Sequence, residues 1–260
     1  MAAPLPTPLR LRQVCLAAPR LAPVLDDLQA ILGLQVCHRD PGLIAHGLEN
    51  ALLPVATDFL EVVAPVQADT AAGRFIQRSR GHGGYMAIFQ CDGPGTVRAG
   101  QTRAAALGVR TAHEIDRPGH YLSVQLHPRD CRAAFIELGH SPGGDDRQTG
   151  TWWPAGPHWQ AGQRTDVTRR LLGIVLESAE PGALLSHWAR ILGLPGDGQP
   201  LQVDGTLISA ETGPADALGA VLLAVADVSA VLDRAVDRGL WVQGSSFHLA
   251  GVHFRLQHGD

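Results

Sequence analysis

The tetrapeptide Ile31-Leu32-Gly33-Leu34 returns as Ile191-Leu192-Gly193-Leu194. Each copy closes a stretch with helical spacing that follows a strand-like run. In the first, Val24, Leu25, Leu28, Ile31 and Leu32 make one apolar stripe, and Gly33 stands where a C-cap belongs. Around it the order is strand over 9–18, helix over 22–32, then strands over 34–38, 49–56 and 58–64. The same order starts again at Tyr85 and is complete by Gly139. It starts a third time at Leu171 and a fourth at Gly219. A supersecondary unit repeated along a chain governs the fold, so the expectation is an α+β protein of four tandem βαβββ modules. The predicted division is residues 1–145, an interdomain segment over 146–166 rich in Trp, Pro and Gly, and residues 167–260. Trp152, Trp153 and Trp159 argue that this segment covers a surface, because three indoles need one to bury against.

Composition removes several function classes. The 21 basic residues are all arginine, so neither Schiff-base chemistry nor a P-loop lysine is available. The net charge of −4 comes with no basic stripe, which speaks against nucleic acid. No apolar run approaches the roughly eighteen residues of a membrane span. Met1–Pro8 lacks the charged and apolar regions of a secretory signal, so a cytoplasmic protein is expected. Cys15, Cys37, Cys91 and Cys131 show no C-x-x-C spacing, so neither a zinc cluster nor a disulfide framework is expected. There is no G-x-S-x-G elbow and no dinucleotide fingerprint.

Asp58 to Pro65 reads as a strand with a carboxylate, Glu61, amid apolar neighbours. Side chains two apart share a sheet face. Phe59, Glu61 and Val63 therefore share one face, and aliphatic Leu60, Val62 and Ala64 the other, which suits helix packing. Phe135 and Glu137 share a face in the same way, opposite Ile136 and Leu138. By the same rule Leu11, Gln13, Cys15, Tyr85 and Phe89 point with the carboxylates.

Asn50-Ala51-Leu52-Leu53-Pro54 before Phe59-Leu60-Glu61-Val62-Val63-Ala64-Pro65, and Gln125-Leu126-His127-Pro128 before Phe135-Ile136-Glu137-Leu138, carry a resemblance to the vicinal oxygen chelate superfamily. Its members include glyoxalase I, methylmalonyl-CoA epimerase, extradiol dioxygenases and bleomycin-resistance proteins. The texture is most similar to its glyoxalase-like domains. The resemblance implies two domains with open curved mixed sheets, each pair of modules curling into a cradle around one metal. Carried over by position, the ligands would be Gln13, Glu61 and Glu137, with Tyr85 where the family has histidine, or His82 three residues upstream. Two carboxylates and an amide suit Mg²⁺ or Mn²⁺, with Ni²⁺ or Zn²⁺ as other candidates. Glu61 and Glu137 would be the catalytic carboxylates. Phe59, Tyr85, Phe89, His127 and Phe135 would line the pocket for a small carbonyl or oxygen-chelating compound. The implied activity is a metal-dependent lyase or isomerase. The alternative is a metal-free protein that sequesters its ligand, acting as a monomer or homodimer. In the second half the matching positions fall on Gly173, Ser209, Ala220 and Arg255, which make no metal site.

Overall fold

The computed structural model describes residues 8–146 and 148–259, and the proline-rich Met1–Thr7 lies outside them. The first module holds β1 (Leu9–Ala17), α1 (Leu21–Leu32), β2 (Leu48–Val55) and β3 (Asp58–Pro65). Helix α2 (Ala71–Arg78) leads to the second, with β4 (Gly84–Cys91), α3 (Pro94–Ala106), β5 (Thr111–Arg117), β6 (Tyr121–Leu126), α4 (Pro128–Cys131) and β7 (Phe135–His140). The third holds β8 (Thr168–Ser178), α5 (Pro181–Leu192), β9 (Leu201–Val203) and β10 (Thr206–Thr212). The fourth holds β11 (Ala217–Val225), α6 (Val228–Asp237), β12 (Val242–Gln243), β13 (Ser246–Leu249) and β14 (Val252–His258).

The predicted helix over 22–32 is α1, with the predicted stripe buried and Gly33 in the left-handed region at φ 68°. The strand predicted over 34–38 shrinks to one bridge, His38 to Leu52, because Asp40 there caps a 3₁₀ turn over Pro41–His46. Helix α2 was not predicted. It is two turns long and buries only Ala72 fully, too short a stripe to show a period. Its start is fixed by Thr70, whose side chain accepts from the Gly73 N–H at 3.0 Å.

Each half is built the same way. In the first, β1 pairs parallel with β3 and antiparallel with β4, and β4 pairs parallel with β7. In the second, β8 pairs with β10 and β11, and β11 with β14, in the same senses. Even the irregularities recur. A bulge leaves Arg12 of β1 without a partner on β4, and Leu172 is skipped on β8. A second bulge skips Tyr85 on β4 and Gly219 on β11. Shared bulges fix the correspondence between the halves: Gln13 with Gly173, Tyr85 with Gly219, and Phe135 with His253.

The halves join into one curved sheet of fourteen strands among the described residues, through Gly84 of β4 and Leu218 of β11. Their helices meet reciprocally. Arg234 of α6 donates to the Ile31 carbonyl at 3.0 Å, and Arg103 of α3 donates to the Ile191 carbonyl at 2.9 Å. The repeated Ile-Leu-Gly-Leu motif thus offers a helix C-terminus to an arginine of the opposite half, a favourable placement of a cation. Helices cover one side of the sheet, over a core that includes Leu11, Val14, Leu60, Val62, Phe89, Ile174 and Val221. The other side is the concave one.

Candidate functional site

On the concave side of the first half, Glu61 and Glu137 are 8% and 4% exposed. Gln13 of β1 donates to Glu61 Oε2 at 2.8 Å, and Asn50 of β2 donates to Oε1 at 2.6 Å. Asn50 is itself fixed, its Oδ1 accepting from the Asp40 N–H at 2.9 Å. Tyr121 of β6 donates to Glu137 Oε1 at 2.8 Å, and Gln125 donates to Oε2 at 2.9 Å. Each carboxylate thus has both oxygens held by neutral donors of the chain.

A roof closes over these groups. Trp152 and Trp159, from the segment between the halves, are 0% and 1% exposed and pack with Cys15, Leu52, Phe59, Ile88 and Tyr121. The Trp152 Nε1–H donates to Gln13 Oε1 at 2.8 Å, so one hydrogen-bond chain runs from roof to amide to Glu61. Trp153 stacks on Tyr121 at 5.3 Å, and Trp159 meets Phe59 edge-on at 5.2 Å. Arg12, thrown onto this side by the bulge, is 0% exposed. Its guanidinium lies 5.4, 5.9 and 5.7 Å from the Phe59, Trp152 and Trp159 rings. None of its nitrogens has a hydrogen-bond partner among the described residues, so ring faces stand in for acceptors. Burial first, then Arg10, lowers its pKa to about 9 against the opposing pull of Asp58.

The predicted residues separate into two sets. Gln13, Glu61, Glu137, Phe59, Phe135 and Tyr85 all lie on the concave side. Phe89 does not: it belongs to the helix-side core, as does Leu11. Both were placed by strict alternation, which the bulges at Arg12 and Tyr85 break. His127 is not a pocket residue, for its Nδ1 accepts from the Arg129 N–H at 3.3 Å and caps α4. His82 faces a cavity shared with the second half. Tyr85 is the bulged residue itself, packed between Phe75 at 4.9 Å and Phe135 at 5.0 Å. In register with Gln13 and Glu137 on β4 is Ile88, so the fourth corner is aliphatic. Asn50, Tyr121, Trp152 and Arg12 were missed as members of this cluster. Pairing parity pointed to the first: Asn50 faces Val63, on the same side as Glu61.

The donor set does not fit a metal. Glu61, Glu137 and the Gln13 oxygen are all engaged by N–H or O–H donors, no imidazole completes them, and no group of three His, Cys, Asp or Glu among the described residues could hold an ion.

Burial, the largest cause, raises the Glu61 pKa above the ordinary carboxylate value. Hydrogen bonds from Asn50, Cys15 and Gln13 oppose it, and Glu137 adds to it. A carboxyl whose folded pKa exceeds its unfolded one contributes stability below the unfolded value, near pH 4, and loses it as pH rises through the folded value. The unfolding free energy of the wild type minus that of Glu61→Gln should therefore fall as pH rises above about 4 and then level off. Urea denaturation across the pH range reads this. A difference that grows with pH would mean the amide donors, not burial, set the proton on Glu61.

No family model matches the chain, and no curated protein matches it. Among solved structures, a hypothetical protein from Staphylococcus aureus aligns over 96% of this chain and 99% of its own, with TM-score 0.64 at 12% identity. That similarity shows a shared fold across both halves. Methylmalonyl-CoA epimerase from Streptomyces coelicolor aligns over 51% of this chain and 97% of its own, with TM-score 0.44 at 22% identity. The epimerase from Mycobacterium tuberculosis aligns over 54% and 93%, with TM-score 0.43 at 23% identity.

Proposed function

We propose that this chain, which has the vicinal oxygen chelate fold, is a small-molecule-binding protein that works without a resident metal. One observation carries the reading: all four oxygens of the two central carboxylates accept hydrogen bonds from Gln13, Asn50, Tyr121 and Gln125. A metal at this place would have to displace those donors and find a replacement for the missing imidazole. The chemistry that remains is binding. Glu61 and Gln13 hold the Trp152 roof, and Glu137 holds Tyr121, on which Trp153 stacks. The first cradle is in this reading a closed polar cluster that shapes the protein, while a ligand is taken where the concave side stays open. No helix of the described residues is long and apolar enough to cross a membrane.

Metal analysis of the purified full chain is the test. The expected result is no stoichiometric divalent ion, and no change in melting temperature on adding Mg²⁺, Mn²⁺, Ni²⁺ or Zn²⁺. A stoichiometric ion that disappears in both Glu61→Ala and Glu137→Ala would overturn the proposal and restore the metal-dependent lyase or isomerase.

A further inference from the structure

The second cradle lacks the filling of the first. In the first half the bulged Tyr85 lies between Phe75 and Phe135 and plugs the space beside β1. The equivalent bulge in β11 is Gly219, and Phe135 is matched by His253, which pairs with Ala220 as Phe135 pairs with Met86. Taking away a phenol and a phenyl leaves a cavity of about 270 Å³. It is bounded by the second half on one side and by Arg80, Gly81 and His82, just before β4, on the other.

Five polar residues line this space: Arg80 at its exposed rim, and His82, Glu177, His248 and His253. None makes a side-chain hydrogen bond or ion pair among the described residues, unlike the carboxylates of the first cradle. Glu177 lies against the glycine that opens the cavity, since a Cβ on Gly219 would stand 2.1 Å from its Oε1. The His248 and His253 rings are 5.1 Å apart, edge to face. Burial, then His253 and His82, lowers the His248 pKa, so this imidazole offers one donor and one acceptor. Arg255, the other cation nearby, is held by both oxygens of Glu211 and also attracts Glu177 without bonding to it. One guanidinium and one carboxylate therefore remain for a ligand, with imidazoles between them.

We propose that this cavity binds a small acid that also carries a hydrogen-bond donor, of the amino-acid or hydroxy-acid class. Arg80 and an imidazole N–H take its carboxylate, and Glu177 takes the ammonium or hydroxyl. An unpartnered anion meets Glu177 unfavourably, and an unpartnered amine meets Arg80 in the same way, so both poles are required. The volume sets the size, falling below the roughly 300–1,000 Å³ of pockets that hold drug-sized ligands. The proposal rests on the binding reading above and adds its place and ligand class.

Calorimetric titration of the full chain with L-serine and L-lactate, against acetate and ethanolamine as single-pole probes, tests it. The expected result is saturable binding of L-serine or L-lactate, with acetate and ethanolamine weaker by about tenfold or more, as the loss of one charge-assisted hydrogen bond implies. His253→Phe, which copies the residue of the first half, should abolish binding while leaving the melting temperature close to wild type. Glu177→Gln should weaken it by about tenfold. The proposal is overturned if neither L-serine nor L-lactate binds up to about 10 mM, if acetate binds as tightly as they do, or if binding survives His253→Phe. Failure here beside a metal-free protein would refute the ligand class alone. A stoichiometric ion at Glu61 and Glu137 would refute the binding reading whatever the cavity does.

Discussion

Replacing Trp152 by alanine lowers the stability of the protein by about 4 kcal/mol, within the 3–5 kcal/mol usual for removing a buried Trp or Phe. Three losses coincide at this residue. The indole is 0% exposed, so its removal leaves a void that the sheet beneath cannot close. Gln13 Oε1 loses its donor and becomes a buried acceptor without a partner, a loss of about 1–3 kcal/mol in general. Arg12 loses one of three rings around a guanidinium that has no hydrogen-bond partner among the described residues. These terms overlap, so they do not sum. Trp152→Phe separates them: it keeps most of the apolar volume, removes the N–H, and should cost about 1–2 kcal/mol. Guanidinium denaturation of both variants reads the difference. If Trp152→Ala unfolds within about 1 kcal/mol of wild type, the segment does not roof the cradle in solution.

That roof shows how far the sequence could be read. Three tryptophans between two repeats signalled a covered surface, because indoles in a Pro- and Gly-rich stretch have no other use for their area. Which surface they cover depends on contacts across 139 residues, Trp152 to Gln13, and no local pattern carries that. The repeats were legible because each module prints its own period: apolar stripe, glycine cap, alternating strands. Glu61 and Glu137 were placed on the concave side by alternation within strands that have no bulge before them. The same rule failed on β1 and β4. A bulge adds one residue without a marking composition, and every side chain past it changes face. Leu11 and Phe89 were lost that way. The fourth corner was carried over from the resemblance onto Tyr85, where the ladder places Ile88 beside Gln13. In sequence the second half shows no site because Gly173, Ser209 and Ala220 carry no metal-ligating group. In the structure the absence of a side chain at Gly219 is what makes room.

Gly83→Ala, a change of one methyl group, should separate the two halves. The stretch Gly81-His82-Gly83-Gly84 is where the backbones of both halves touch. A Cβ on Gly83 would stand 1.7 Å from the Ala250 carbonyl oxygen, and one on Gly84 would stand 2.2 Å from the Leu218 oxygen. The contacts are backbone to backbone. The Ala17 N–H donates to Gly83 at 2.8 Å, and the Gly83 N–H donates to Gly251 at 3.1 Å. Overpacking usually costs about 1–3 kcal/mol because a side chain can turn aside. Here the atom in the way is a carbonyl held in the turn between β13 and β14, so the cost should reach about 3 kcal/mol or more. Gly95→Ala is the control, since a Cβ there meets nothing within 4 Å. It sits in the first turn of α3, where alanine favours the helix by up to about 1 kcal/mol over glycine. Denaturation followed by tryptophan fluorescence should show Gly83→Ala unfolding at lower denaturant with a broader or split transition, as two halves that no longer support each other lose a common cooperative unit. Because His82 and Gly251 border the cavity, L-serine or L-lactate binding should fall with it. If Gly83→Ala and Gly95→Ala unfold alike, the halves are spaced more widely than the sheet pairing of Gly84 with Leu218 requires, and the cavity between them loses its wall.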